Sequence, residues 1–176
     1  TVLVKTVKAH VEDDADGLNV ASINADRNVK IDASAGEVIA SVSMGFAGGG
    51  TAGVGGAVSV AVSKNDVQAG IGKSARVDSE GNVLVNAQDD VTAVLTSGAG
   101  AGGGNTGVGA SLAVATLLGT TKAYVGDNAR VNARGNRDAA TVYTGDTVIT
   151  QQPDSPAMPG DLLAKKTELA KGLSVT

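Results

Sequence analysis

The chain is 176 residues long with a formal net charge of −4 and no cysteine, which excludes disulfides, thiolate chemistry and cysteine metal sites and offers no basic footprint for a phosphate backbone. Nucleic acid is therefore not an expected partner, and no run of about 18 apolar residues marks a membrane span. With 1 Phe, 2 Tyr, 2 Met and no Trp against 25 Gly, the interior must be thin and built from alanine and valine, and the absence of a three-residue glycine period excludes collagen.

In chain order, the alternating run TVLVKTV from Thr1 reads as a strand that starts mid-unit and uncapped, in a chain expected to be a processed or excised fragment because it opens without methionine. His10 is the only histidine, so a histidine metal cluster has no second imidazole and a Ser-His-Asp triad would rest on this one residue, which is expected instead on a strand surface. Glu12, Asp13, Asp14, Asp16 and Asn19 form an acidic turn. Counted from Asp14, the bidentate glutamate of an EF-hand would fall at Ala25, so that motif fails and only weak surface calcium binding is left. NVKIDA from Asn28, IASVSM from Ile39, AVSVAV from Ala57 and NVLVNA from Asn82 alternate with period 2 and read as strands with one buried face. Asp26-Arg27-Asn28, Ser79-Glu80-Gly81-Asn82 and Arg134-Gly135-Asn136 supply the turns between them. Asp89-Asp90 is read as a turn, with no support for paired-carboxylate glycosidase chemistry.

These elements repeat. AGGGTAGVGGAVSVAV from Ala47 matches AGGGNTGVGASLAVAT from Ala101 at an offset of 54 residues, and residues 45–77 are identical to 99–131 at 14 of the 33 aligned positions without a gap. Ile23, Val77 and Val131 continue the same spacing, as do Asn28, Asn82 and Asn136, which are expected to stack as an amide ladder. The units occupy about 1–35 in part, 36–89 and 90–143. Stacked repeats tolerate no insertions where ordinary loops do, so the fold class expected is all-β, a parallel β-helix or β-solenoid, with two or three coils in each 54-residue unit. Gly48-Gly49-Gly50 and Gly102-Gly103-Gly104 are followed by strand-like sequence, without the helix of a dinucleotide fingerprint or the Lys-Ser/Thr of a P-loop. Their expected role is to let neighbouring backbone layers approach.

The repeat fails after Thr144. TVIT from Thr147 reads as a last strand within a linker over 144–160, where QQPDSPAMPG holds all three prolines. DLLAKKTELAKG reads as a short helix over 161–172, with Asp161 as N-cap and Gly172 as its stop, acting as a cap on the repeat's open end or as a clasp for a neighbour.

AGGGTAGVGGAVSVAV, TTKAYVGDNARVNARGN and GNVLVNAQDD together resemble the repeat of very large secreted bacterial adhesins, the leukotoxin-like filamentous group of autotransporter-type proteins, over residues 18 to 143. The resemblance implies an extracellular module on the bacterial cell surface, structural or adhesive, with no catalytic, cofactor or metal residue to carry over. Its expected partners are neighbouring repeats or further copies end to end, and a host or cell-surface glycan or protein. Two other classes stay open: a flat-face ligand-binding solenoid for ice, glycan or calcium, and a β-helical enzyme acting on polysaccharide. Thr141, Thr144, Thr147 and Thr150 recur every three residues, which suits neither a strand face nor the 54-residue period, and no carboxylates cluster as such an enzyme needs.

Overall fold

Period-2 alternation predicts strands, and strands form. The computed structural model describes residues 1–12, 20–149 and 163–176, and among them the chain is all β, with no helix. The strands are β1 Val2–Val11, β2 Ser22–Ala25, β3 Val29–Gly49, β4 Ala52–Ile71, β5 Arg76–Ser79, β6 Val83–Gly103, β7 Thr106–Val125, β8 Arg130–Ala133, β9 Ala140–Ile149, β10 Leu163–Ala170 and β11 Leu173–Val175. The four alternating runs fall in β3, β3, β4 and β6, and the three expected turns separate strands as read.

The strands sort by their place in the period rather than by chain neighbourhood. Three sheets have the orders β1-β4-β7, β2-β5-β8 and β3-β6-β11. Each 54-residue period thus visits each of the three sheets once, where two or three coils were expected. The difference lies in strand length: β3, β4, β6 and β7 run to 20 or 21 residues, several times the usual strand.

Pairing is parallel and in period. Arg76 aligns with Ser22 on one side and Arg130 on the other, and Val77 likewise with Ile23 and Val131. The first pairing departs from it: Val62 donates to the Thr1 carbonyl and Gly72 to that of Val11, spacings of 61 residues, against 55 between Gly126 and Ile71 on the next pair. The six additional residues fall between β1 and β2, the stretch that holds the residues expected as an acidic turn. Residues 13–19 of that turn are outside the described residues.

The chain gathers into two compact units. One comprises Lys8–Ser34, Gln68–Ala87 and Lys122–Thr176. Its core is aliphatic, with Val29, Ile31, Ala69, Ile71, Val77, Val83 and Val85 buried. Like residues stack along the period in it. Asn82 Nδ2 donates to Asn28 Oδ1 at 3.2 Å, Asn86 Nδ2 to Asp32 Oδ1 at 2.6 Å and Asn132 Nδ2 to Asp78 Oδ1 at 3.2 Å. Burial pushes the Asp32 carboxyl up, but the Asn86 amide and the Lys30 ammonium 3.1 Å away outweigh it and hold the group below its ordinary value.

The third rung of the asparagine ladder is not the expected one. Asn136 instead donates to Glu80 Oε2 at 3.2 Å, and the backbone N–H of Gly172 donates to Asn82 Oδ1 at 2.8 Å. The cause is the tail. The expected helix over 161–172 is replaced by β10, antiparallel to β9 in a register from Leu163↔Ile149 to Ala170↔Ala140, and Gly172 at φ 88° turns the chain into β11. β11 then lies parallel on β6 with Leu173 against Val83, the place that the period would assign to residues from 137 on. A helix of about ten residues nucleates poorly in isolation, whereas the β-branched β9 presents an open row of backbone partners that β10 satisfies. Asp161 and QQPDSPAMPG lie outside the described residues, and residues 144–149, assigned to the linker, belong to β9.

Asn82 is 1 % exposed and serves Asn28, Asp138 and Gly172 together. Asn82→Ala is therefore expected to cost about 2–4 kcal/mol, because buried backbone groups lose their partners. Asn136→Ala, at the exposed end of one bond, should cost under about 1 kcal/mol. Urea unfolding of the two variants checks the difference, and equal losses would contradict the ladder described.

Candidate functional site

The second unit, Thr1–Val7, Ala35–Val67 and Gln88–Thr121, has an unusual interior. Neither Val38–Ser63 nor Val91–Thr121 contains a charged residue. At the turn end of β3 and β4 there is no room for side chains. A Cβ on Gly45 would overlap the Gly56 carbonyl, and one on Gly53 or Gly55 those of Gly102 or Gly100. Close approach of layers is thus what the glycine tract provides, though unevenly: Gly48 and Gly102 face open space, while Gly49 and Gly103 close on Ala52 and Thr106.

Moving away from the turn, serines replace glycines. Ser43 Oγ donates to Ser97 Oγ at 3.2 Å, and Ser41 and Ser59 share a hydrogen bond of 2.6 Å. Beyond them lies a connected polar set from three strands: Glu37 on β3, Ser63 and Asn65 on β4, and Asp89 on β6. Ser63 Oγ donates to Glu37 Oε2 at 2.9 Å and lies 3.4 Å from Asn65 Oδ1. Asn65 Nδ2 donates to both Asp89 carboxylate oxygens at 3.1 Å. Glu37, Ser63 and Asn65 are 7 %, 1 % and 2 % exposed, and Glu37 Oε1 is buried without a hydrogen-bond partner among the described residues.

The period shows how unusual this set is. One repeat away, Glu37 corresponds to Val91, Ser63 to Leu117, Asn65 to Gly119 and Asp89 to Ala35. Four positions joined by hydrogen bonds across two successive repeats are polar together, and the matching positions are apolar or small. Sequence reading passed over Glu37, Ser63 and Asn65 because each sits singly in an alternating strand. The signal that finds them is the departure from the 54-residue match at these positions.

The expected candidates fall elsewhere. Asp89 and Asp90 lie within β6 rather than in a turn; Asp89 bonds Asn65 and Asp90 accepts from Gln88 Nε2 at 2.8 Å, so the two carboxylates do not act as a pair. His10 stands on β1 with its side chain 15 % exposed, more enclosed than the strand surface expected. Its ring meets Tyr124 edge-on at 5.6 Å, and Tyr124 lies across Gly70, where a Cβ would strike the ring at 2.5 Å. A polar cleft of about 340 Å³ is lined by Asn24, Asp26, Asp78, Ser79, Glu80 and Arg134, where Arg134 pairs with Glu80. Among the described residues no three His, Asp or Glu side chains gather. No family model, curated protein or solved structure matches the chain.

The polar set behaves as a unit on this geometry. Asp89→Ala alone strands the Asn65 amide and should cost about 1–3 kcal/mol. Replacing all four by apolar residues of similar volume, as Glu37→Met, Ser63→Ala, Asn65→Leu and Asp89→Leu, removes every polar partner together and should leave stability within about 1 kcal/mol of the parent or raise it. Chemical denaturation of both variants distinguishes these outcomes, and additive losses across the set would contradict the coupling.

Proposed function

We propose that this chain is a β-solenoid segment acting as a structural and adhesive module of a bacterial surface protein. The observation that carries the reading is the match between sequence period and strand register: residues 54 apart in the chain are direct neighbours in parallel sheets. Such pairing extends by adding repeats, one strand per sheet and about 4.8 Å per period. The likeness of AGGGTAGVGGAVSVAV and GNVLVNAQDD to repeats of filamentous adhesins points to the outside of the cell as its location.

Two surface features favour contact by broad faces over a deep pocket. Val38, Val42, Met44 and Phe46 follow one another on the outward face of β3 at 69 to 80 % exposure, and Phe46 lies over Gly100. β7 is the outer strand of its sheet and has no charge from Thr106 to Thr121, the kind of edge that accepts another strand. A neighbouring repeat fits that edge, and a host or cell-surface glycan or protein fits the face.

Beads coated with the chain should bind cultured host cells or extracellular matrix well above uncoated beads. A Val42→Ser/Met44→Ser/Phe46→Ser variant should lose most of this binding while keeping its strand circular dichroism. Binding no greater than that of uncoated beads would defeat the adhesive reading, and a spectrum dominated by helix would defeat the solenoid.

A further inference from the structure

The Glu37 carboxylate stands in an unresolved electrostatic position. It is 7 % exposed, one of its oxygens has no partner among the described residues, and Asp89 adds a second carboxylate across Asn65. Among the described residues no Lys or Arg pairs with either; the nearby Lys5 ammonium donates to the Gly36 carbonyl at 2.7 Å instead. A buried carboxylate with neither a countercharge nor a full set of donors is costly.

We propose that Glu37, Ser63 and Asn65 form a calcium-binding site, with Asp89 as a positioning residue. Three side-chain oxygens converge there: Ser63 Oγ is 2.9 Å from Glu37 Oε2 and 3.4 Å from Asn65 Oδ1. Oxygens bound to one calcium at 2.3–2.6 Å stand roughly 2.8–3.5 Å apart when adjacent, so both separations suit neighbouring ligands of a single ion. Glu37 Oε1 supplies a further oxygen that has no hydrogen-bond partner among the described residues. Asp89 accepts both bonds from Asn65 Nδ2, which holds the amide nitrogen away and turns Oδ1 toward Ser63. The ligands are all oxygen, with no imidazole or thiolate, which selects a hard cation over zinc or copper. Their unequal spacings of 2.9 and 3.4 Å suit the loose coordination of calcium better than the strict octahedron and retained waters of magnesium. The matching positions Val91, Leu117 and Gly119 have no side-chain oxygen, so the site occurs once in the repeat.

Calorimetric titration and thermal unfolding of the full chain, stripped with EGTA, test this with CaCl₂ and MgCl₂. Calcium should bind at one site with half-saturation at about 10⁻⁴–10⁻³ M, as in extracellular modules, and raise the melting temperature, with magnesium at least roughly tenfold weaker. Glu37→Gln preserves volume and Ser63→Ala removes a single oxygen; each should weaken calcium binding by about tenfold or more, roughly the loss of one good ligand. Asp14→Asn/Asp16→Asn, in the acidic turn, should leave the titration unchanged. The absence of calcium binding up to tenfold above that range, full calcium affinity in either site variant, or loss of binding in the acidic-turn variant instead would overturn the proposal.

Discussion

The repeat strands from β2 to β8 hang on one constraint: a residue finds its partner 54 positions away along a parallel ladder. Parallel pairing places like on like, so a residue at a given place in the period meets its own equivalent. An asparagine then serves itself, as Asn82 does Asn28, and an arginine must lie beside an arginine, as Arg76 does beside Arg130. A slip of one residue would turn every inward side chain outward in strands of 20 residues and more. Length therefore makes the register strict, and strictness explains why the repeat runs without a gap from residue 45 to 131.

Within that register the two units meet the demand for burial differently. Around Val77, Val83 and Val85 aliphatic side chains fill the interior in the ordinary way. Between β3 and β4 the filling thins to serine and then to glycine, until carbonyls stand where side chains would be. The close layers lose hydrophobic burial and gain dispersion and backbone proximity. The outward valines of the same strands are left in solvent. A surface so short of charge is a liability for an isolated protein and an asset for one that works by contact.

The sheet elements were legible because their signal is redundant. Each strand is announced by alternation and announced again one period later, but alternation alone does not say which face is buried: Val29, Ile31, Val83 and Val85 face inward, whereas Val42, Val58 and Val60 face solvent while Ser59 and Ala61 are buried. The tail lacked that second copy. Leu163, Leu169 and Ala170 fit a helix face and a strand face equally well, and the deciding partner, β9, is a long-range one that local pattern does not reveal. Asn136 illustrates the same limit: its spacing is right, but β11 arrives from elsewhere in the chain and places the Gly172 amide on the ladder in its stead. The Glu37 set was visible in principle. It appears only when the repeats are read against each other for mismatches, since a polar residue inside a repeat is informative where its equivalent is Val91 or Leu117.

The natural absence of cysteine makes the register directly measurable with introduced pairs. Arg76 and Arg130 are direct partners on β5 and β8, whereas Arg76 and Asn132 are displaced by two residues on the same face. A disulfide requires Cα atoms within about 7 Å, a span that the first pair meets and the displaced pair, at roughly 7–8 Å, does not. Under mild oxidation Arg76→Cys/Arg130→Cys should form an intramolecular disulfide nearly completely, and Arg76→Cys/Asn132→Cys should remain largely reduced. Equal crosslinking of the two pairs, or preference for the displaced one, would contradict the 54-residue register on which the account rests.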